Sequence, residues 1–309
     1  MTLPSLGEGA FIVGLREMIR DHLLGKMPDP SGELAQRDLQ ELLVIYGNWR
    51  GRYMAVRPRQ VHESRELQAS SKRSKHIPAL HAIRTEIETG QDMMPRLSRR
   101  VRDAYVPEGE RPHPPYRRDR DLLLADWGIY HLHLGTKKCK SGGDDVLLAY
   151  FTRHDAFLID IRVHRDNWAS VSLMKIVVRN WPGNGAVLEA RSGIGLEDGT
   201  ISDSDRLAYR QAGVTMPLEI DGKVYLPAAG QTCSGTPMAV TEHANVLMHR
   251  LRELDSRFTE DLRWLDGCFG CERQSLPEQP DWRPYVHEEQ YGALEWQTHC
   301  FVPFGPLTP

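Results

Sequence analysis

Three histidines and an arginine stand at alternating positions within one short span of this chain: His131, His133, Arg162 and His164. In extended strands, residues two apart point the same way, so 131/133 and 162/164 would each form a pair on one sheet face, with Leu132 and Leu134 turned to the other. Imidazoles suit proton transfer near neutral pH, and a guanidinium suits a phosphate. Metal-free cleavage of RNA needs a base for the 2′-hydroxyl, an acid for the leaving 5′-oxygen and cations for the charge that builds on phosphorus. On that reading His131, His133 and His164 share acid/base work, and Arg153, Arg162 and Arg165 hold the phosphate. Lys137, Lys138 and Lys140 add contacts from the adjoining loop. The same histidines admit a second chemistry: His131-x-His133 would chelate a divalent ion together with His164 and an aspartate such as Asp160 or Asp166. A third reading makes them ordinary residues of a half-buried sheet face.

The elements that must carry these side chains are three strands, Ile129 to Leu134, Val146 to Thr152 and Ala156 to Val163, separated by a polar Gly142-Gly143 loop and a tight turn at Arg153-His154-Asp155. A short helix over 119–126 should lead into them. A helix from Asn167 to about Asn180 should close the unit, with Val171, Met174, Val177 and Val178 on one face. Upstream, apolar spacing predicts helices near 8–24 and 31–49, then Ala79 to Glu88 and Pro95 to Ala104. Downstream, a strand at 186–190, a helix at 202–212, a hairpin turning at Asp221-Gly222 and a long helix over 237–258 follow. This predicts an α+β protein with a helical, basic domain at 1–105, a proline-rich linker at 106–118 and a β-meander core at 119–182. An α/β unit at 183–258 and an acidic, irregular tail at 259–309 complete it.

Charge is unevenly spread. Residues 50–120 hold 17 Lys/Arg against 9 Asp/Glu, whereas 259–309 hold 3 against 9, although the net charge is only −3. A basic block beside an acidic tail suits a polyanion partner and a segment that would mask its site. Within the block, Arg50, Arg52, Arg57 and Arg59 interleave with Trp49 and Tyr53, a mixture suited to single-stranded RNA. The alternative is a surface whose arginines bridge to acidic residues. Cys268 and Cys271 form a single Cys-x-x-Cys pair, which Cys300 and His299 (or His287) would complete as a structural zinc site. The five cysteines are too scattered for a disulfide framework. No apolar run approaches a membrane span and the N-terminus lacks signal-peptide features, so a cytoplasmic protein without membrane association is expected. Phosphate-loop, dinucleotide and hydrolase-elbow motifs do not occur.

Leu132-His133-Leu134-Gly135, Leu148-Ala149-Tyr150 and Val163-His164-Arg165-Asp166-Asn167-Trp168, in the order strand, loop, strand, turn, strand, resemble the C-terminal meander of RelE/ParE-like toxins. Barnase-like ribonuclease folds are similar more broadly. The resemblance covers about 45 of the 309 residues. It implies a RelE-like sheet and mRNA cleavage in a bacterial toxin or phage-defence setting, with an antitoxin or another defence-complex protein as partner. No cofactor beyond the structural zinc of the cysteine pair is expected. His133 stands where that family carries an arginine. Trp168 stands where it carries a tyrosine, and would stack on a base. A non-catalytic module that binds nucleic acid or protein is the alternative from a different class.

Overall fold

In the computed structural model, residues 9–26, 29, 32–106, 120–135, 144–164, 169–190, 201–260, 264–265 and 276–309 are described, without the side chains of 99, 100, 259 and 260. The protein is α+β. Its chain forms two units: residues 1–51, 102–111 and 239–309 make one, and residues 52–101 and 112–238 the other. The sequence-based boundaries at 105, 118, 182 and 258 cut across this division, because hydrophobic periodicity marks elements and not which of them share a core. Among the described residues no helix is long and apolar enough to cross a membrane.

The second unit is built on a four-stranded sheet ordered β1-β4-β3-β2, from β1 (Gln60–Glu63), β2 (Ile129–His133), β3 (Asp145–Phe151) and β4 (Asp155–Val163). The expected antiparallel meander of β2, β3 and β4 is present. The first strand, β1, pairs in parallel with β4 and comes from the basic stretch between the second and third expected helices. Both faces are packed. Leu132, Leu134, Leu147, Ala149, Leu158 and Ile161 bury one face under α4 (Arg65–Ala69) and α5 (Arg73–Glu88), through Leu67, Leu80, Ile83 and Ile87. Ile129, Val146, Leu148 and Ile159 bury the other under α6 (Leu122–Trp127) and α7 (Val171–Asn180). The histidine-bearing face is therefore no open polar surface; it is apolar over most of its area, because α7 presents Leu173, Met174, Ile176 and Val177 to it.

Local rules explain most boundaries. Asp121 caps α6 by accepting from the Leu124 N–H at 3.1 Å. Gly128, at φ +69°, ends the helix and lets the chain turn straight into β2. Where one helix was expected from Pro95 to Ala104, two short 3-10 turns form, Met94–Arg96 and Arg99–Arg102. A small sheet ordered β5-β7-β6 comprises β5 (Val187–Glu189), β6 (Leu218–Ile220) and β7 (Lys223–Pro227). Its hairpin turns at Asp221 and Gly222, with φ of 52° and 74°, the double positive φ of a type I′ turn. In α8 (Asp203–Gln211), Arg210 is buried with Asp126, Nε to Oδ2 at 2.7 Å, and its guanidinium lies 4.1 Å from the centroid of Trp127.

The first unit contains α1 (Ala10–Leu24), a single turn α2 (Glu33–Gln36), α3 (Leu39–Arg50) and α9 (Met238–Glu260). The tail, expected to be irregular, carries an antiparallel sheet of β8 (Trp282–His287), β9 (Gln290–Glu295) and β10 (Cys300–Pro306). Asp255 of α9 accepts from the backbone N–H groups of Gly9, Phe11 and Ile12 and so caps α1. Phe11 packs on Phe258 and Phe304, which ties the tail sheet to α1.

Candidate metal centre

The strand register brings three predicted histidines together. His131 pairs with Leu148 and His133 with Val146, and across β3 these face Asp160 and Arg162. His164 follows β4, its N–H donating to the Asp144 carbonyl at 2.6 Å and extending the ladder by one residue. Alternation along β4 would send His164 to the opposite face from His131, because Ala156 and Leu158, also even-numbered, point into the α4/α5 core. A β-bulge changes this. Leu148 pairs with Asp160 but Ala149 pairs with Leu158, so Ile159 is the extra residue. Beyond it the parity flips: Ile161 joins the α4/α5 core, and Asp160, Arg162 and His164 lie on the histidine face. Ser64, the N-cap of α4, supports the bulge by donating from Oγ to the Ile159 carbonyl at 2.5 Å.

The resulting cluster is tight. Ring centroids are 6.0 Å apart for His131 and His133, and 5.4 Å for each pair involving His164. One nitrogen from each ring lies within 4.8 Å of the others, the one such group of three or more ligating side chains among the described residues. Nitrogens bound tetrahedrally at 2.0–2.1 Å stand about 3.4 Å apart, so small ring rotations would close the set on an ion. His133 has its pKa pushed down to about 4, first by burial and then by the neighbouring His131 and His164. A neutral imidazole is the ligating form. His131 Nδ1 lies 3.5 Å from Asp121 Oδ2. Beside them a pocket is lined by Arg52, Ser98, Asp121, Tyr130 and His131.

The other expected residues fall in different places. Arg162 is at the site, but Nε donates to Asp160 at 2.6 Å and Nη2 to Ser172 at 3.3 Å, which fixes the end of β4 to the start of α7. Asp160 is engaged by that arginine and by the Ile161 N–H, so it is no ligand of the cluster. Arg153 does not belong to the site: it sits in the exposed turn before β4, about 30 Å along the strand from His164. Arg165, Asp166, Trp168, Lys137, Lys138 and Lys140 lie outside the described residues.

Much of the basic block is neutralised inside the fold, which departs from the RNA-track expectation. Arg59 is buried and donates to the carbonyls of Thr152, Ala55 and Arg57. Arg52 is buried at the pocket, Arg57 is exposed, and Arg50 belongs to the other unit, where it pairs with Glu289. Lys72 and His76 both engage Asp145, and Arg73 engages Glu63. Of the zinc set, Cys268 and Cys271 lie outside the described residues. Cys300 and His299 adjoin at the start of β10, but His287 cannot join them. Cys300 registers with Glu295 and thence Trp282, five residues along β8 from His287, or about 17 Å.

The residues that sequence reasoning passed over are Asp121 and Ser64. Asp121 fell inside the helix expected over 119–126, whereas it caps the observed one; its approach to His131 depends on α6 folding back on β2. Ser64 lies 95 positions before the bulge it supports, a contact that only the tertiary fold creates. Compared with protein-family models, with curated proteins and with solved structures, the chain matches none.

Proposed function

We propose that this protein is a metal-dependent phosphodiesterase acting on RNA, with His131, His133 and His164 as ligands of one divalent transition metal. The observation that carries the reading is three imidazole nitrogens within 4.8 Å of one another on a single sheet face. Three histidines with a fourth position open to water are the donor set of catalytic rather than structural zinc, and such an ion lowers the pKa of its water to about 7. The metal-free alternative draws less support from the geometry. It needs an acid and a base on opposite sides of the scissile phosphate. Here the rings of His133 and His164 are stacked at 5.4 Å with 25° between planes, which leaves no room for a phosphate between them. His133, held neutral by its surroundings, would also make a poor general acid near pH 7.

The chain's own residues would orient the substrate. Arg162, held by Asp160 and Ser172 on the histidine face, would meet phosphate oxygens. The lysines 137, 138 and 140 and Arg165 border this end of the sheet in sequence and supply the cations that favour RNA. A toxin or phage-defence setting remains part of the proposal through the family resemblance of 126–168.

The test is cleavage of a labelled RNA by the full chain loaded with Zn²⁺ or Mn²⁺. Cleavage should vanish with a chelator, return on adding metal, and fall by at least a hundredfold in His133→Ala and His164→Ala. Cleavage that survives both chelation and these substitutions would refute the proposal.

A further inference from the structure

We propose that Asp121 is the positioning carboxylate of this centre, holding His131 with its Nδ1–H toward Asp121 and its Nε2 toward the metal. The inference rests on the metal reading above and deepens it. A histidine ligand has two distinct ring nitrogens, and the partner of the one that does not bind decides which tautomer and which orientation is presented. His131 Nδ1 is shielded from solvent and 3.5 Å from Asp121 Oδ2, an ion-pair distance that a ring rotation shortens to a hydrogen bond. Both side chains are largely covered, at 11% and 18% exposure, so water competes weakly for the contact.

The arrangement follows from how the chain folds locally. Asp121 begins α6, Gly128 reverses the chain, and His131 is the third residue of β2. A six-residue helix is about 9 Å long and two strand steps cover about 7 Å, so the helix N-terminus returns to the level of His131. The two carboxylate oxygens divide the work. Oδ1 accepts from the Leu124 N–H, which keeps the side chain in place, while Oδ2 faces the imidazole. Asp121 is thus fixed by its own cap before it fixes the histidine.

That division allows capping and positioning to be separated. Asparagine caps a helix as well as aspartate does, but with its oxygen on Leu124 it turns an N–H₂ toward the Nδ1–H, and two donors cannot bond. Serine also caps and is too short to reach the ring. The experiment is calorimetric titration of the metal-free full chain with Zn²⁺, comparing wild type, D121N and D121S, each also in the H131A background, with apo melting temperatures recorded alongside. Expected are one Zn²⁺ per wild-type chain and 10- to 100-fold weaker binding in D121N and D121S. Their apo melting temperatures should be unchanged, and D121N should have no further effect once His131 is gone. Wild-type affinity in D121N and D121S would overturn the role of Asp121 and leave the metal centre standing. Equal losses from D121N with and without His131 would also overturn it. A wild-type chain that takes up no Zn²⁺ would remove both the positioning role and the reading beneath it.

Discussion

At the scale of single residues, the centre holds one imidazole, His133, that its surroundings keep neutral. Protonated His133 is disfavoured in the folded chain, whose pKa of about 4 lies below the ordinary 6.5. Between those values the unfolded chain binds a proton that the folded chain does not, so stability rises with pH across this window and falls as pH drops through it. For metal-free protein, chemical denaturation at pH 7 and pH 4.5 should show a loss of about 2 kcal/mol attributable to this group. His133→Gln should lose that component of the pH dependence; an unchanged slope would place the effect elsewhere. The buried pair of Arg210 and Asp126, 1% and 2% exposed, makes a separate claim. Removing one partner leaves a buried charge, so Arg210→Ala should cost about 3–5 kcal/mol in urea unfolding. A loss below about 1 kcal/mol would mean that solvent reaches Asp126.

At the scale of elements, the bulge at Ile159 decides whether there is a site at all. The spacings 131/133 and 162/164 were readable as face-sharing pairs, and the three strands appear within one or two residues of where alternation puts them. That the two pairs share the same face was not readable: it depends on one extra residue in β4, and a bulge leaves no hydrophobic signature in a strand buried on both sides. The turn at Asp221-Gly222 was legible because positive φ at two successive residues demands such a dipeptide. The tail sheet was not, because Pro284, Gly292, Pro303 and Gly305 interrupt alternation in β8 to β10. Burial of both sheet faces was also hidden, since α7 conceals a face whose sequence looks mixed. Ser64 clamps the bulge, receiving the Leu67 N–H at 2.9 Å while donating to Ile159. Ser64→Ala should therefore cost about 1–2 kcal/mol of stability and also weaken Zn²⁺ binding several-fold. Lost stability with wild-type metal affinity would show that the bulge holds without its clamp.

At the scale of the whole molecule, much of the basic block is paired within the fold, and the described part of the acidic tail packs into its own unit. Tail residues Trp282 and Phe304 belong to the same apolar cluster as Phe258 and Leu265, and Asp255 closes the N-terminus of α1. Removing 276–309 should therefore unfold the unit built on α1, α3 and α9, seen as loss of its cooperative melting transition, rather than release activity. Increased RNA cleavage by a well-folded truncated chain would restore the masking idea. The central claim is the metal centre, and counting metal per chain tests it most directly. After exposure to excess Zn²⁺ and desalting, elemental analysis should find one zinc per wild-type chain and none in the folded His131→Ala/His133→Ala/His164→Ala variant. No zinc in the wild type, or one zinc retained by the triple variant, would contradict the account.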